Sequence, residues 1–200
     1  MTGQNLVDRA IARAAIRVAQ RYGAHDYAQH YSQFTIHKFK DPKDRVARAT
    51  RDGVSMDEVM REFDTLLEIK RFRGNVLLNA GINILWTLVG GTGATKYDNG
   101  NAYIGVGDST SGAVATQTAL QASSNKTYAA MNGGYPTYGA SQLATWQSTF
   151  ASGVANYPWN EIGIFNAAAG GGTMLDRAQQ AMGTKASGTS WISTVQITLA

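Results

Sequence analysis

The ten residues SWISTVQITL, at positions 190–199, decide the fold class of this chain. Trp191, Val195, Ile197 and Leu199 are separated by even numbers of positions, so an extended backbone places their side chains on one face. The residues between them are mostly Ser, Thr and Gln. This alternation is typical of a strand in an antiparallel sheet that is buried on one side only.

Five segments upstream repeat the pattern of short runs with β-branched and aromatic residues, separated by Gly, Pro and Asn. They are AYIGVG (102–107), KTYAAM (126–131), SQLATWQSTF (141–150), WNEIGIFN (159–166) and GTMLDRAQQ (172–180). Six short strands at this spacing predict a β-sandwich.

The segment 75–89, NVLLNAGINILWTLV, interrupts the strand pattern. It is apolar on several sides, as a buried helix is, and Gly90 and Gly91 follow it. We expect a helix over 75–89 that packs on the sandwich. We also expect all four tryptophans to be mostly buried: Trp86, Trp146, Trp159 and Trp191.

Charge divides the chain of 200 residues into two halves. Residues 1–73 hold 14 of the 18 Lys and Arg and 10 of the 14 Asp and Glu, whereas residues 74–200 are formally neutral and hold 19 of the 22 glycines. The sequence therefore predicts an α+β protein with a charged helical and extended arm over 1–73 and a β-sandwich domain over 74–200.

The start of the arm has helical periodicity between Asn5 and Tyr22. One face is apolar, and the opposite face carries a row of arginines four positions apart: Arg9, Arg13, Arg17 and Arg21. Stacked like charges destabilise a helix slightly. A solvated face and a face that docks on an acidic surface both fit this pattern.

The segment YSQFTIHKF (31–39) is suited to a short strand or an extended arm that Asp41 and Pro42 end. Such a segment can add a strand to the sheet edge of a neighbouring subunit. Phe34, Ile36 and Phe39, with the four arginines, are therefore the expected interaction residues.

A second arm helix is predicted from a capping box, in which Ser55 serves the amide of Glu58. Its apolar stripe consists of Met56, Val59, Met60, Phe63, Leu66 and Leu67, and its basic end of Lys70, Arg71 and Arg73. Basic residues at a helix C-terminus suit the helix dipole.

Ser109, within IGVGDSTSG (104–112), is a candidate nucleophile because glycines beside a serine allow an oxyanion hole. A serine nucleophile also needs a base, and the three histidines, His25, His30 and His37, all lie in the first half. We therefore interpret the segment as the end of a strand and a turn, and we expect no enzymatic activity. A hydrolase remains the alternative.

No cofactor or metal is expected. GGTGATK (90–96) lacks the spacing of a phosphate-binding loop, and the histidines do not share a helical face or a carboxylate cluster. The chain has no cysteine and no apolar stretch of membrane-spanning length. Its pI of about 9.4 permits weak contact with nucleic acid, but the β half lacks the aromatic and basic runs that bind single strands.

Residues 74–200 resemble structural proteins of tailed-bacteriophage virions. The resemblance is carried by GNVLLNAGINILWTLVGG, NAYIGVGDST, ATQTALQASSNKTY, WNEIGIF, LDR at 175–177 and TKASGTSWISTVQITL. The GVGDST and WNEIGIF pieces are also similar to collar-fibre and tail-fibre proteins. Residues 1–73 carry no part of this resemblance.

The resemblance implies a non-enzymatic virion protein, assembled in the host cytoplasm, with a capsid decoration or cement role as the first expectation. A tail, collar or baseplate component is the alternative. The implied partners are the major capsid protein or other virion proteins and further copies of this chain, with a trimer as the first ring to consider. Neither a membrane nor a specific nucleic-acid sequence is an expected partner.

Overall fold

The computed structural model describes residues 30–168 and 171–199, in which alternating apolar and polar side chains build two antiparallel sheets. The ten strands of this part of the chain are β1 (His30–Lys40), β2 (Leu66–Arg73), β3 (Val76–Leu77), β4 (Tyr103–Gly107), β5 (Lys126–Ala130), β6 (Thr137–Ala140), β7 (Leu143–Phe150), β8 (Pro158–Phe165), β9 (Met174–Thr184) and β10 (Thr189–Leu199). Its three helices are α1 (Arg45–Arg51), α2 (Met56–Glu62) and α3 (Asn79–Gly90). The predicted α+β class with a β-sandwich is confirmed, and all six predicted strands form.

Each sheet has five strands. Sheet A has the order β2-β1-β10-β7-β6, and sheet B has the order β3-β9-β8-β4-β5. All pairs are antiparallel, and β1 pairs with β10 over its full length from His30 to Lys40. A two-residue turn, Ser141 and Gln142, joins β6 to β7 with both residues at positive φ, as tight hairpins prefer.

The main core lies between the sheets. It is formed by apolar residues that alternate along the strands of both sheets, including Phe34, Ile36, Ile104, Trp146, Trp159, Ile162, Ile164 and Val195. Trp159 is fully buried and makes edge-to-face contacts with Phe150 and Trp191. Such aromatic contacts add to the stabilisation that burial supplies.

Helices α1 and α2 pack on part of sheet A in a second core of Phe39, Val46, Val59 and Ile192. Asp41 caps α1, since its carboxylate accepts hydrogen bonds from Arg45 N and Ala47 N at 2.7 and 3.0 Å. Ser55 caps α2 by accepting from Glu58 N at 3.3 Å, as the capping box predicts.

Helix α3 packs on β9 through a glycine. A Cβ at position 81 would lie 2.6 Å from both Cα and O of Leu175, so only glycine permits this close approach. The helix begins at Asn79, later than predicted, because Val76 and Leu77 pair with Arg177 and Asp176 as strand β3.

The expected boundary after Arg73 is wrong. Residues 30–199 form one compact unit, because β1 lies between β2 and β10 in the middle of sheet A. The expected continuation of the second arm helix to Arg73 is also wrong. Helix α2 ends at Glu62, and Leu66–Arg73 forms strand β2, because its backbone pairs with β1.

Three of the four tryptophans are buried as predicted: Trp146, Trp159 and Trp191. Trp86 is 68% exposed, contrary to the prediction. Helix α3 lies on the surface of the sandwich, where only one of its sides can contact the sheet.

Candidate functional site: an apolar groove beside an open sheet edge

A groove of about 750 Å³ opens between helix α3 and the β6–β7 end of sheet A. Its walls include Leu77, Leu85, Tyr97, Trp146, Leu175 and Ile197. This volume and largely apolar lining are typical of binding sites. Two hydrogen bonds fix the aromatic wall: Trp146 Nε1 donates to Tyr97 O at 3.0 Å, and Tyr97 Oη donates to Thr173 O at 3.2 Å.

Large apolar side chains project into solvent from α3 and β6, the two elements that border the groove. Trp86 and Val89 of α3 are 68% and 79% exposed, and Tyr138 of β6 is 76% exposed. Helix α3 has no charged residue. We call the groove with Trp86, Val89 and Tyr138 the α3 face. Exposed apolar side chains of this size on two elements that border an apolar groove make the α3 face a candidate interaction site.

Strand β6 forms an open edge of sheet A next to the groove. Among the described residues it pairs with β7 on one side and ends the sheet on the other, and all four of its residues are exposed. Unpaired backbone groups at a sheet edge can bind another chain. The α3 face therefore offers both apolar and hydrogen-bonding contacts.

Two side chains of opposite charge, Lys96 and Asp98, line the same groove. Asp98 Oδ1 accepts hydrogen bonds from Asn101 N and Nδ2 at 3.1 and 2.7 Å, which hold the carboxylate in place. These two charges cancel. The electrostatics of the groove favour neither an anionic nor a cationic partner.

Ser109 lies at the start of a long loop between β4 and β5. Its Oγ accepts a hydrogen bond from Ser111 N at 3.2 Å, which is the turn interaction expected of a serine in a loop. In the described ranges no histidine hydrogen-bonds to Ser109: His30 Nε2 contacts Asn75 Oδ1 at 3.2 Å, and His37 is buried in sheet A. Burial and the nearby Arg71 lower the pKa of His37.

A buried ion pair anchors this loop to sheet B. Arg177 and Glu161 are both fully buried, and the remaining donors of Arg177 bond to Gln117 Oε1 and Ser111 O at 3.1 and 2.9 Å. The carboxylate of Glu161 also accepts from Gln121 N at 2.8 Å. The loop is therefore held at several points along its length.

Asp176 is a buried acid on β9. Its carboxylate accepts hydrogen bonds from Asn75 Nδ2 at 2.6 Å and Ile164 N at 3.1 Å. Burial raises the pKa of Asp176 to about 7 despite these hydrogen bonds. Asn75 also contacts His30, so it links the buried acid to the first residue of β1.

The predicted interaction residues fall into two groups. Arg9, Arg13, Arg17 and Arg21 lie outside the described residues, as does His25. Phe34, Ile36 and Phe39 are fully buried in the two cores, so their prediction as contact residues is wrong. Strand β1 cannot add to a neighbouring sheet because both of its edges are already paired.

The sequence analysis did not predict the α3 face. It also did not predict the buried Arg177–Glu161 ion pair or the buried carboxylate of Asp176. Helix α3 has an apolar composition that fits a buried helix equally well, so the sequence did not distinguish the two. Glu161, Asp176 and Arg177 occur inside otherwise apolar strand segments. That position is the signal for buried paired charges.

No group of three or more His, Asp or Glu residues that could hold a metal ion occurs in ranges 30–168 and 171–199. Within the same ranges, no helix is long and apolar enough to cross a membrane. No protein-family model, curated protein or solved structure matches the chain.

Proposed function

We propose that this chain is a non-enzymatic structural protein of a tailed-phage virion, with capsid decoration or cement as its role. The resemblance of residues 74–200 to virion proteins motivates the proposal. The observation that carries it is the α3 face, because exposed Trp86 and Val89 on α3 and exposed Tyr138 on the edge strand β6 suit a protein that works by surface contact.

The proposed partners are the major capsid protein, or another virion protein, and further copies of the chain. A sandwich with anchored loops provides a rigid body that loses little conformational entropy on assembly. In this proposal the arginine row of residues 9–21 faces acidic residues of the shell or of an adjacent copy, where arginine pairs fix the register of the contact.

Copy number in purified particles tests the proposal. Virions of the phage that encodes the chain are purified, and the protein is quantified by mass spectrometry against the major capsid protein. A copy number that scales with the capsid lattice supports decoration, whereas a small number matching the tail supports the alternative of a tail, collar or baseplate component. Absence from particles contradicts the virion role.

A further inference from the structure

We propose that sheet A carries a binding site for a small hydroxyl-rich anion, a sugar acid or a sugar phosphate, on the face turned away from sheet B. A pocket of about 500 Å³ lies there, and the residues that line it include Tyr31, Gln33, Arg73, Gln196 and Thr198. A volume of this order suits a small-molecule ligand. The inference goes beyond the proposed function and does not require the protein to be in a virion.

Strand alternation and register place the polar side chains of the pocket in one row. Phe34 and Ile36 of β1 face the core between the sheets, so Gln33 projects from the opposite face. Gln33 lies directly across from Arg73 of β2 on one side and from Gln196 of β10 on the other. Residues that face each other across antiparallel strands have Cβ atoms about 5 Å apart. One guanidinium and two amides therefore lie side by side.

The charge of the pocket favours an anion. Arg73 is exposed, and within the described part of the chain its guanidinium has neither an ion pair nor a hydrogen bond. None of the described lining residues is an aspartate or a glutamate. The acid next to the lining, Asp176, is fully buried and is bound by Asn75 Nδ2. A guanidinium without a partner binds a carboxylate or a phosphate through two parallel hydrogen bonds.

The remaining polar groups suit a ligand with several hydroxyls. The amide of Gln33 makes no hydrogen bond to another described residue, and that of Gln196 makes one long bond, to Thr145 Oγ1 at 3.5 Å. Each amide offers both donors and an acceptor, as a sugar hydroxyl requires. The hydroxyl of Thr198 lies in the next row, across from Tyr31. Tyr31 is 58% exposed, so its ring is accessible to the apolar face of a sugar.

Isothermal titration calorimetry of the full chain tests the site with four probes. Glucose 6-phosphate and gluconate each combine an anionic group with hydroxyls, and the stronger binder of the two identifies which anionic group the site takes. Glucose and inorganic phosphate each supply only one of these features. We expect one sugar anion to bind per chain, and we expect glucose and inorganic phosphate to bind at least about tenfold more weakly.

Substitutions in the row test the position of the site. Arg73→Gln should weaken binding of the sugar anion at least about tenfold, because it removes a charged hydrogen-bond donor. Gln33→Ala and Gln196→Ala should each weaken it several-fold. Arg71→Gln is the matched control: Arg71 is exposed two positions earlier on β2 and does not line the pocket, so the same loss of charge should leave the affinity nearly unchanged. Circular dichroism checks that every variant is folded.

Three results would overturn the inference. The first is that neither glucose 6-phosphate nor gluconate binds. The second is that glucose binds as tightly as the better sugar anion, which removes the role of Arg73. The third is that Arg73→Gln and Arg71→Gln weaken binding equally, which indicates a diffuse positive surface instead of a site. The copy number of the protein in particles tests the virion proposal alone and leaves this site standing or absent on its own evidence.

Discussion

Arg177 and Glu161 form an ion pair between two fully buried side chains, with Nε and Nη2 of Arg177 each 2.8 Å from Oε2 of Glu161. The pair joins neighbouring strands β8 and β9 on sheet B, and its spare hydrogen bonds reach the loop that begins at Ser109. Removing one partner would leave a buried charge unpaired and would release the loop.

We therefore expect Arg177→Ala to lower the free energy of unfolding by about 3–5 kcal/mol. Denaturant unfolding monitored by tryptophan fluorescence measures the loss. Glu68→Gln is the control, because Glu68 of the Lys38–Glu68 pair is half exposed. Its partner Lys38 also donates a hydrogen bond to Met182 O. This substitution should lower the free energy of unfolding by roughly 1 kcal/mol. Equal losses in the two variants would contradict the role given to the buried pair.

The pKa of Asp176 predicts how stability depends on pH. Burial raises this pKa from 3.8 to about 7, so the folded state holds its proton more tightly than the unfolded state. The contribution of Asp176 to the free energy of unfolding is fully present below pH 3.8. It is lost as the pH rises to about 7. The difference between these pKa values corresponds to roughly 4 kcal/mol.

Asp176→Asn removes the ionisation, so the variant should gain stability relative to the parent as pH rises from 4 to 7. Unfolding free energies of both proteins across this range measure the difference. Subtracting the two curves removes the opposite effect of His37, whose lowered pKa reduces stability on acidification. A constant difference between Asp176→Asn and the parent would show that Asp176 does not titrate in this range.

The sandwich was predictable because strand alternation is a local signal that tertiary contacts then reinforce. In SWISTVQITL the residues Trp191, Val195 and Ile197 are buried on the shared face, while Leu199 is 45% exposed because it ends the strand. The capping box at Ser55 was also predicted correctly. These features depend on neighbouring residues alone.

The pairing of distant segments was not predictable from local pattern. β1 joins β10 across most of the chain length, and this pairing makes Phe34 and Ile36 core residues of the sandwich instead of arm contacts. Leu66 and Leu67 fit the periodicity of helix α2, yet both lie in strand β2, where Leu66 pairs with Phe39 of β1. Local spacing also could not show which side of α3 faces solvent.

The tryptophans provide a matched pair for testing the core. Trp159 is fully buried between the sheets, so Trp159→Ala should destabilise the protein by about 3–5 kcal/mol. Trp86 is 68% exposed, so Trp86→Ala should cost much less in the single copy. Thermal or denaturant unfolding at concentrations below any self-association compares them. A Trp159→Ala protein as stable as the parent would refute the packing described for β8.

Truncations define where the folded unit begins. Removing residues 1–29 should preserve the sandwich, because residues 30–199 form one compact unit. Removing residues 1–50 deletes β1, which lies between β2 and β10, together with most of α1 and the buried side chains of Phe34, Ile36 and Phe39. The loss of three large core residues and of two strand pairings should prevent folding. Near-ultraviolet circular dichroism distinguishes the two truncated proteins.

The shorter truncation also tests the proposed attachment role of the arginine row: we expect the 30–200 protein to fold but to bind particles less well than the full chain. If it binds with unchanged affinity, the attachment surface lies on the sandwich itself.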